Sequence, residues 1–166
     1  MADKSSFTAE EWKTLVEAPM LAGVAVTAAD PSGLWGMLKE SFATGGALAK
    51  VKADAAANPL IKAIVAEYDS AEGRAVGRDG LKARLSGSKP AEVTARAVAG
   101  LGEAAAILDA KAPDDAPAVR RWLASISQAV AEAADEGGFL GFGGVQVSDA
   151  EKATLDQVAA ALKLKT

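Results

Sequence analysis

The sequence predicts an all-α fold, a single-domain helical bundle of about six to eight helices that includes residues 1–166. Alanine makes up about a quarter of the chain, and such small side chains allow helices to pack at short distances. Apolar residues recur at helical spacing behind residues that commonly cap helices. The run Gly144-Val145-Gln146-Val147 is compatible with a strand, but one short run cannot build a sheet.

The first helix has a clear start signal. Residues 1–7 are expected to be disordered, because chain ends are commonly mobile. Thr8 and Glu11 then have the spacing of a capping box, in which each side chain bonds the other residue's amide. Pro19 is expected to end or kink this helix, or to begin a second helix that runs to about Ala29.

Glycine and proline divide the middle of the chain. Gly45-Gly46 is expected to break a short helix that begins near Ser32, and a further helix covers about 47–57. Asn58-Pro59 predicts a capped helix start. Residues 69–90 are polar and contain several glycines, so the sequence predicts a flexible or loop segment with one weak helical turn.

Three longer helices are predicted in the C-terminal half. The first covers about 90–110, the second begins near Pro113, and the last opens with a capping box at Ser148-Asp149-Ala150-Glu151. Residues 136–147, between the last two, are predicted to be a flexible or loop segment. The predicted buried stripes are Val93, Ala97, Leu101, Ala104 and Leu108; Val119, Trp122, Leu123, Ile126, Val130 and Ala133; and Leu155, Val158, Ala159 and Leu162.

Several residue types that catalysis and metal binding commonly use are missing. The chain has neither histidine nor cysteine. This excludes catalytic triads with histidine, thiol nucleophiles and thiolate zinc sites. Carboxylates, lysine, arginine, hydroxyls and one tyrosine remain, but no motif arranges them for a reaction. We therefore expect no enzymatic activity, no catalytic residue and no organic cofactor.

Charge and hydropathy limit the partners. The net charge of −4 and a pI near 4.9 argue against nucleic-acid binding, which needs concentrated lysine and arginine. The most apolar window, Met20–Ala29, is shorter than the ~18 residues of a membrane span, so no transmembrane segment is expected. The first residues lack the basic and then apolar layout of a signal peptide, which makes the cytoplasm the expected location.

Two segments of the chain resemble each other. Residues 28–36 and 133–141 are identical at five of nine positions, and each follows an alanine-rich helix. In both, a helix end is followed by an aspartate, a glycine turn and a bulky apolar pair. Two interpretations stay open: a domain of two pseudo-repeated halves, or a chance similarity between alanine-rich helix ends.

The C-terminal segment also resembles a known family. Ala134-Asp135 at a helix end, followed by Glu151 in the first turn of the next helix, is similar to the repeated motif of the TerB-like (tellurite-resistance) helical domains. Asp30 and Glu40 stand in the corresponding places of the N-terminal segment. The resemblance includes about a third of the chain, and the loop between Asp135 and Glu151 is longer than the family's. It implies an all-helical domain of bacterial stress responses whose acidic positions associate with metal ions.

Any metal site in this chain would have oxygen ligands, because histidine and cysteine are absent. Calcium, magnesium or manganese would fit such ligands. For Glu151 the alternative is a capping role, since negative charge is favourable at a helix N-terminus. The candidate metal ligands are Asp30, Glu40, Asp135 and Glu151.

The glycine-rich segment Gly137–Gly144 is the most unusual local feature. It lacks the strand and lysine of a phosphate-binding loop. Its aromatic side chains either plug a groove of the bundle or form an exposed apolar surface that meets a partner. The tryptophans Trp12, Trp35 and Trp122 either pack in the core or line an apolar pocket. The candidate interaction residues are Leu34, Trp35, Phe139, Leu140 and Phe142.

Together these observations predict a small, soluble, non-enzymatic helical protein. It is expected to bind another protein or a copy of itself, with a homodimer as the expected assembly, in a bacterial stress response. The alternative is a ligand- or hard-metal-ion-binding stress protein with acidic TerB-like sites. A third class, amphipathic helices that coat lipid or polymer granules, fits the alanine content but not the frequent glycines.

Overall fold

The computed structural model describes residues 2–29, 34–135 and 147–164, and for residues 34–43, 90, 134 and 135 it describes the backbone alone. Within these ranges there is no strand, and the helices pack as one domain, so the all-α prediction is confirmed. A 3-10 helix at Lys4–Ser6 precedes seven α-helices: α1 (Ala9–Thr27), α2 (Leu34–Ala53), α3 (Pro59–Glu67), α4 (Ala71–Leu85), α5 (Pro90–Lys111), α6 (Ala116–Asp135) and α7 (Asp149–Ala161).

Helix α1 is the centre of the bundle. It packs against each of the other six α-helices. Between Leu15 and Val26, every residue except Met20 and Val24 is buried. A helix that is apolar on all sides is stable only when other elements surround it, which explains the central position of α1. None of the described helices is long and apolar enough to cross a membrane.

Helix α1 continues through Pro19, so the prediction that this proline ends one helix or begins another is wrong. A proline inside a helix removes one hydrogen bond and crowds the carbonyls of the preceding turn. The Tyr68 hydroxyl donates a hydrogen bond to the carbonyl of Val16, which lies in that turn. Burial, followed by the nearby Glu17 carboxylate, raises the pKa of Tyr68, so its hydroxyl remains a donor. Tertiary contacts thus support the turn that the proline weakens.

Two glycine-containing segments are helical where the sequence predicts breaks. Gly45-Gly46 lies inside α2, which is continuous from Leu34 to Ala53 and packs against α6, α1 and α3. Each glycine costs about 1 kcal/mol relative to alanine, and packing over a 20-residue helix outweighs that cost. The predicted loop at 69–90 is also wrong, because it contains the whole of α4.

Helix α4 forms because its glycines allow close packing. The Ser70 hydroxyl caps the helix by accepting a hydrogen bond from the Gly73 amide at 2.9 Å. Gly73 and Gly77 are buried, and a side chain at Gly77 would contact Tyr68 and Met20. Here the glycines indicate contact between helices rather than a turn.

Residues 2–7 lie against the bundle in the structure, whereas the sequence predicts disorder at 1–7. The Ala2 amide donates to the Asp115 carboxylate at 2.8 Å. The Lys4 ammonium donates to Glu67 at 2.6 Å. Phe7 is buried, with its ring 5.7 Å from that of Trp12 between centroids. Three separate contacts therefore attach the segment to the bundle.

The Glu67 contact predicts a specific acid sensitivity. The Lys4 hydrogen bond holds the pKa of Glu67 below its ordinary value of 4.5, with help from the Trp12 indole and against the effect of burial. A lowered folded pKa contributes stability that is complete above the unfolded pKa and is lost as the pH falls through the folded pKa. We expect the free energy of unfolding, measured by urea denaturation at several pH values, to fall below pH 4.5.

The slope of this decrease should be smaller in Glu67→Gln and in Lys4→Met. Some slope should remain in both variants, because the pKa values of Asp109 and Asp115 are also lowered by their partners. An identical slope in Glu67→Gln and the wild type would contradict the role of this contact.

The predicted caps at Thr8, Asn58 and Ser148 are confirmed, and so are the predicted stripes except at Val93, Ala133, Leu155 and Ala159, which are half-buried. Thr8 and Ser148 each form a complete capping box. Asn58 accepts hydrogen bonds from the amides of Leu60 and Ile61 at the start of α3. The fully buried members of the predicted stripes are Ala97, Leu101, Ala104, Leu108, Val119, Leu123, Ile126, Val130, Val158 and Leu162, and Trp122 is buried with 9% of its surface exposed.

Part of the sequence interpretation lies outside the described residues. The predicted loop at 136–147 is described only at Val147. The two similar segments at 28–36 and 133–141 also extend into ranges without a description. Their origin as a repeat therefore stays a prediction.

Candidate interaction groove

A groove with a volume of about 600 Å³ lies between α2 and α6. Its α2 wall includes Ala47 and Val51, and its α6 wall includes Trp122, Ala129 and Ala133. Gly46 and Ala57 add further small residues to the lining, which leaves the groove open. We call this feature the α2–α6 groove.

Helical spacing explains the α6 wall. Residues 122, 125, 129 and 133 recur every three or four positions, which places them on one face of the helix. The adjacent face carries the core residues Leu123, Ile126 and Val130. Helix α6 therefore uses one face for the core and leaves a face of small residues toward the groove.

Trp122 is a core residue with one edge in the wall of the groove. It is 9% exposed, and among the described residues its indole N–H has no hydrogen-bond partner. A buried indole N–H commonly has an acceptor, so this one marks an incompletely satisfied position. Trp122 packs in the core and also lines the groove, so both predicted roles apply to it.

Charged side chains stand along the groove at Lys50, Asp54 and Glu132, all of which are exposed. The Asp54 carboxylate accepts from the Ala56 amide at 2.8 Å. Glu132 accepts from the Gln128 side chain at 2.9 Å. In the part of the chain that the structure describes, no ion pair includes any of these three charges. The groove therefore has two carboxylates and one ammonium available to a partner.

A second cavity, of about 410 Å³, lies beside the N-terminal segment. The Trp12 indole donates to Glu67 at 2.9 Å, and the Lys4 ammonium lies 5.8 Å from the centroid of the Trp12 ring. The polar groups of this site thus already bind one another. We interpret it as the attachment point of the N-terminal segment.

The most buried ion pair joins α1, α4 and α5. The Arg84 guanidinium donates to Glu17 at 3.0 Å and to both carboxylate oxygens of Glu103 at 2.8 and 3.1 Å. The Glu103 hydrogen bonds, with those to Glu17, raise the pKa of Arg84. Because a permanently charged arginine holds both carboxylates, the cluster serves as a structural link rather than as an acid–base pair.

The predicted interaction residues lie outside what the structure describes. Leu34 and Trp35 belong to α2 by their backbone, but their side chains are not described. Phe139, Leu140 and Phe142 fall within the undescribed range 136–146. Their role in binding stays a prediction.

Glu151 is the one predicted metal ligand whose side chain is described. Its carboxylate accepts hydrogen bonds from the Ser148 amide and hydroxyl, each at 2.8 Å, so the capping interpretation is confirmed. Asp30 lies outside the description, and Glu40 and Asp135 are described by their backbone alone. Among the side chains that are described, no three potential ligands group closely enough to hold a metal ion.

Sequence reasoning missed most of the groove. The sequence predicts a helix break at Gly45-Gly46 and places Lys50 and Asp54 in a separate helix. It therefore does not indicate that both residues lie beside the continuous helix α2 that forms one wall of the groove. The signal in α6 was weaker but present, because Ser125, Ala129 and Ala133 continue the spacing of Trp122 on one face.

Comparisons with protein-family models, curated proteins and solved structures found no match for this chain. The TerB-like resemblance is therefore neither supported nor contradicted and stays a prediction.

Proposed function

We propose that this chain is a non-enzymatic helical protein that acts by binding another protein or a copy of itself through the α2–α6 groove. The observation that carries the proposal is an open groove of about 600 Å³ with Trp122 in its wall and small apolar side chains around it. Exposed apolar surface with a polar border is typical of interaction sites.

The other polar clusters support a structural role for the rest of the bundle. The Arg84 cluster and the N-terminal attachment use their charges to join helices to one another. In contrast, none of the three charges along the groove forms an ion pair within the described residues. The groove therefore combines apolar lining with charged groups that are free to pair with a partner.

Filling the groove should abolish binding without unfolding the protein. We predict that the double variant Ala129→Gln/Ala133→Gln loses at least tenfold in affinity for helical peptides, because the longer side chains occupy the groove. Glutamine is a good helix former, so circular dichroism and the thermal midpoint should change little. Binding can be measured by fluorescence polarisation with three labelled amphipathic peptides, whose flanking residues are basic, neutral or acidic. Self-association can be measured by sedimentation.

The matched control is Ala106→Gln/Ala110→Gln, which makes the same change at exposed positions of α5. It should behave as the wild type. If the wild type neither self-associates nor binds any of the peptides, or if both double variants bind as it does, the proposed function is wrong.

A further inference from the structure

We propose that the α2–α6 groove takes an amphipathic α-helix of a partner protein, with an apolar face and lysine or arginine along its flanks. This inference rests on the proposed function and names the chemistry of the partner. It follows from the length, the lining and the charge of the groove.

The length of the groove fits a short helix. Its α6 wall runs from Trp122 to Ala133. At 1.5 Å per residue this wall is about 16 Å long, which matches about three turns of a second helix laid alongside it. Three turns carry the i, i+3, i+4, i+7 apolar positions by which helices bind in grooves.

The lining favours a helix over a flat surface. Alanine or glycine stands at Gly46, Ala47, Ala129 and Ala133. Such small residues let a helix axis approach closely, while the exposed edge of Trp122 adds an aromatic contact to the wall. A flat partner surface would leave this concave space unfilled.

The charges select the flanks of the helix. Asp54 directly follows the end of α2 and Glu132 lies on α6, so each wall of the groove has one carboxylate beside it. Lys50 offsets one of them, which leaves an excess of negative charge on a protein whose net charge is −4. Basic residues on both flanks of a bound helix would pair with these carboxylates, and complementary charge raises association rates and selects partners.

A second copy of this chain suits the groove less well. Each of the helices α1 to α7 packs against others of the same bundle. A helix that is already packed in this way would have to leave its own bundle to insert into a neighbour's groove. The same concave face brought against itself by a two-fold axis would enclose empty space rather than fill it.

The test compares two designed 18-residue helical peptides that share a leucine face and carry either lysine or glutamate at the flanking positions. We expect the lysine peptide to bind the full-length chain at least tenfold more tightly by calorimetry. In Asp54→Asn/Glu132→Gln this preference should fall at least threefold. The control Asp114→Asn/Asp156→Asn removes two exposed acids outside the groove, with the same change in net charge, and should keep the preference.

Each other outcome overturns the inference. Equal losses in both acid variants would show attraction to the overall charge alone. A self-association that Ala129→Gln/Ala133→Gln abolishes would identify a second copy as the occupant. A tenfold gain in peptide affinity in the variant Phe139→Ser/Phe142→Ser would identify the chain's own segment around these residues as the occupant of the groove. If both peptides bind equally and the groove variant loses both, the proposed function stands and only the basic character of the partner is wrong.

Discussion

Replacing Arg84 by methionine is expected to lower the free energy of unfolding by about 3 kcal/mol, because it removes one partner of a buried ion pair. Glu17 is 5% exposed, and the Arg84 guanidinium is its ion-pair partner. Methionine keeps much of the length of arginine but leaves the buried Glu17 carboxylate without an opposite charge. Urea denaturation followed by circular dichroism at neutral pH measures the loss.

Two further variants separate the buried charge from the loss of contacts. Glu103→Gln removes the outer carboxylate, whose side chain is 55% exposed, and should cost no more than about 1 kcal/mol. The double variant Glu17→Met/Arg84→Met removes both buried charges and should be more stable than Arg84→Met alone. If Arg84→Met lowers the free energy of unfolding no more than Glu103→Gln does, the ion pair between Arg84 and Glu17 does not stabilise the fold as proposed.

The sequence predicts three helix starts that depend on neighbouring residues alone. Thr8, Asn58 and Ser148 cap their helices through amides two or three positions along the chain. Such contacts are complete within one turn, so a reader of the sequence can recognise both partners. The predicted stripe of α5 was correct for the same reason, because its spacing is a property of the helix itself.

The wrong predictions share a different cause. Pro19, Gly45-Gly46 and Gly73 were interpreted by their local preference, which disfavours a helix by about 1 kcal/mol for glycine and about 3 kcal/mol for proline. Each lies in a helix that packs against several others. The packing energy depends on residues distant in the chain, so these sites could not be predicted from local preference.

The candidate site shows the same limit. Trp122 was recognised as either a core or a pocket residue, because a large aromatic residue suits both. Its neighbours across the groove are Lys50, on α2, and Asp54, directly after α2, and both are far from Trp122 in the chain. Only the tertiary arrangement of α2 and α6 brings these charges beside Glu132, and no spacing within one helix indicates it.

A methyl group added at Gly73 is expected to destabilise the fold by about 3 kcal/mol or more. In Gly73→Ala the new Cβ would lie 2.0 Å from the carbonyl oxygen of Glu67 and 2.6 Å from its carbonyl carbon. Both atoms belong to the backbone at the end of α3, so no side-chain rotation relieves the overlap. The start of α4 must move, which weakens the Ser70 cap and displaces the Glu67 carboxylate that binds Trp12.

Thermal unfolding should show a midpoint lower by about 10 °C, since about 1 kcal/mol corresponds to about 2–4 °C in a domain of this size. Tryptophan fluorescence should change as Trp12 loses its contact with Glu67. The matched control is Gly102→Ala inside α5, where no atom lies within 4 Å of the added Cβ. That variant should gain about 0.5–1 kcal/mol, because alanine favours a helix over glycine. Equal stability of the two variants would contradict the close α3–α4 contact, since only the surroundings of the added methyl group distinguish them.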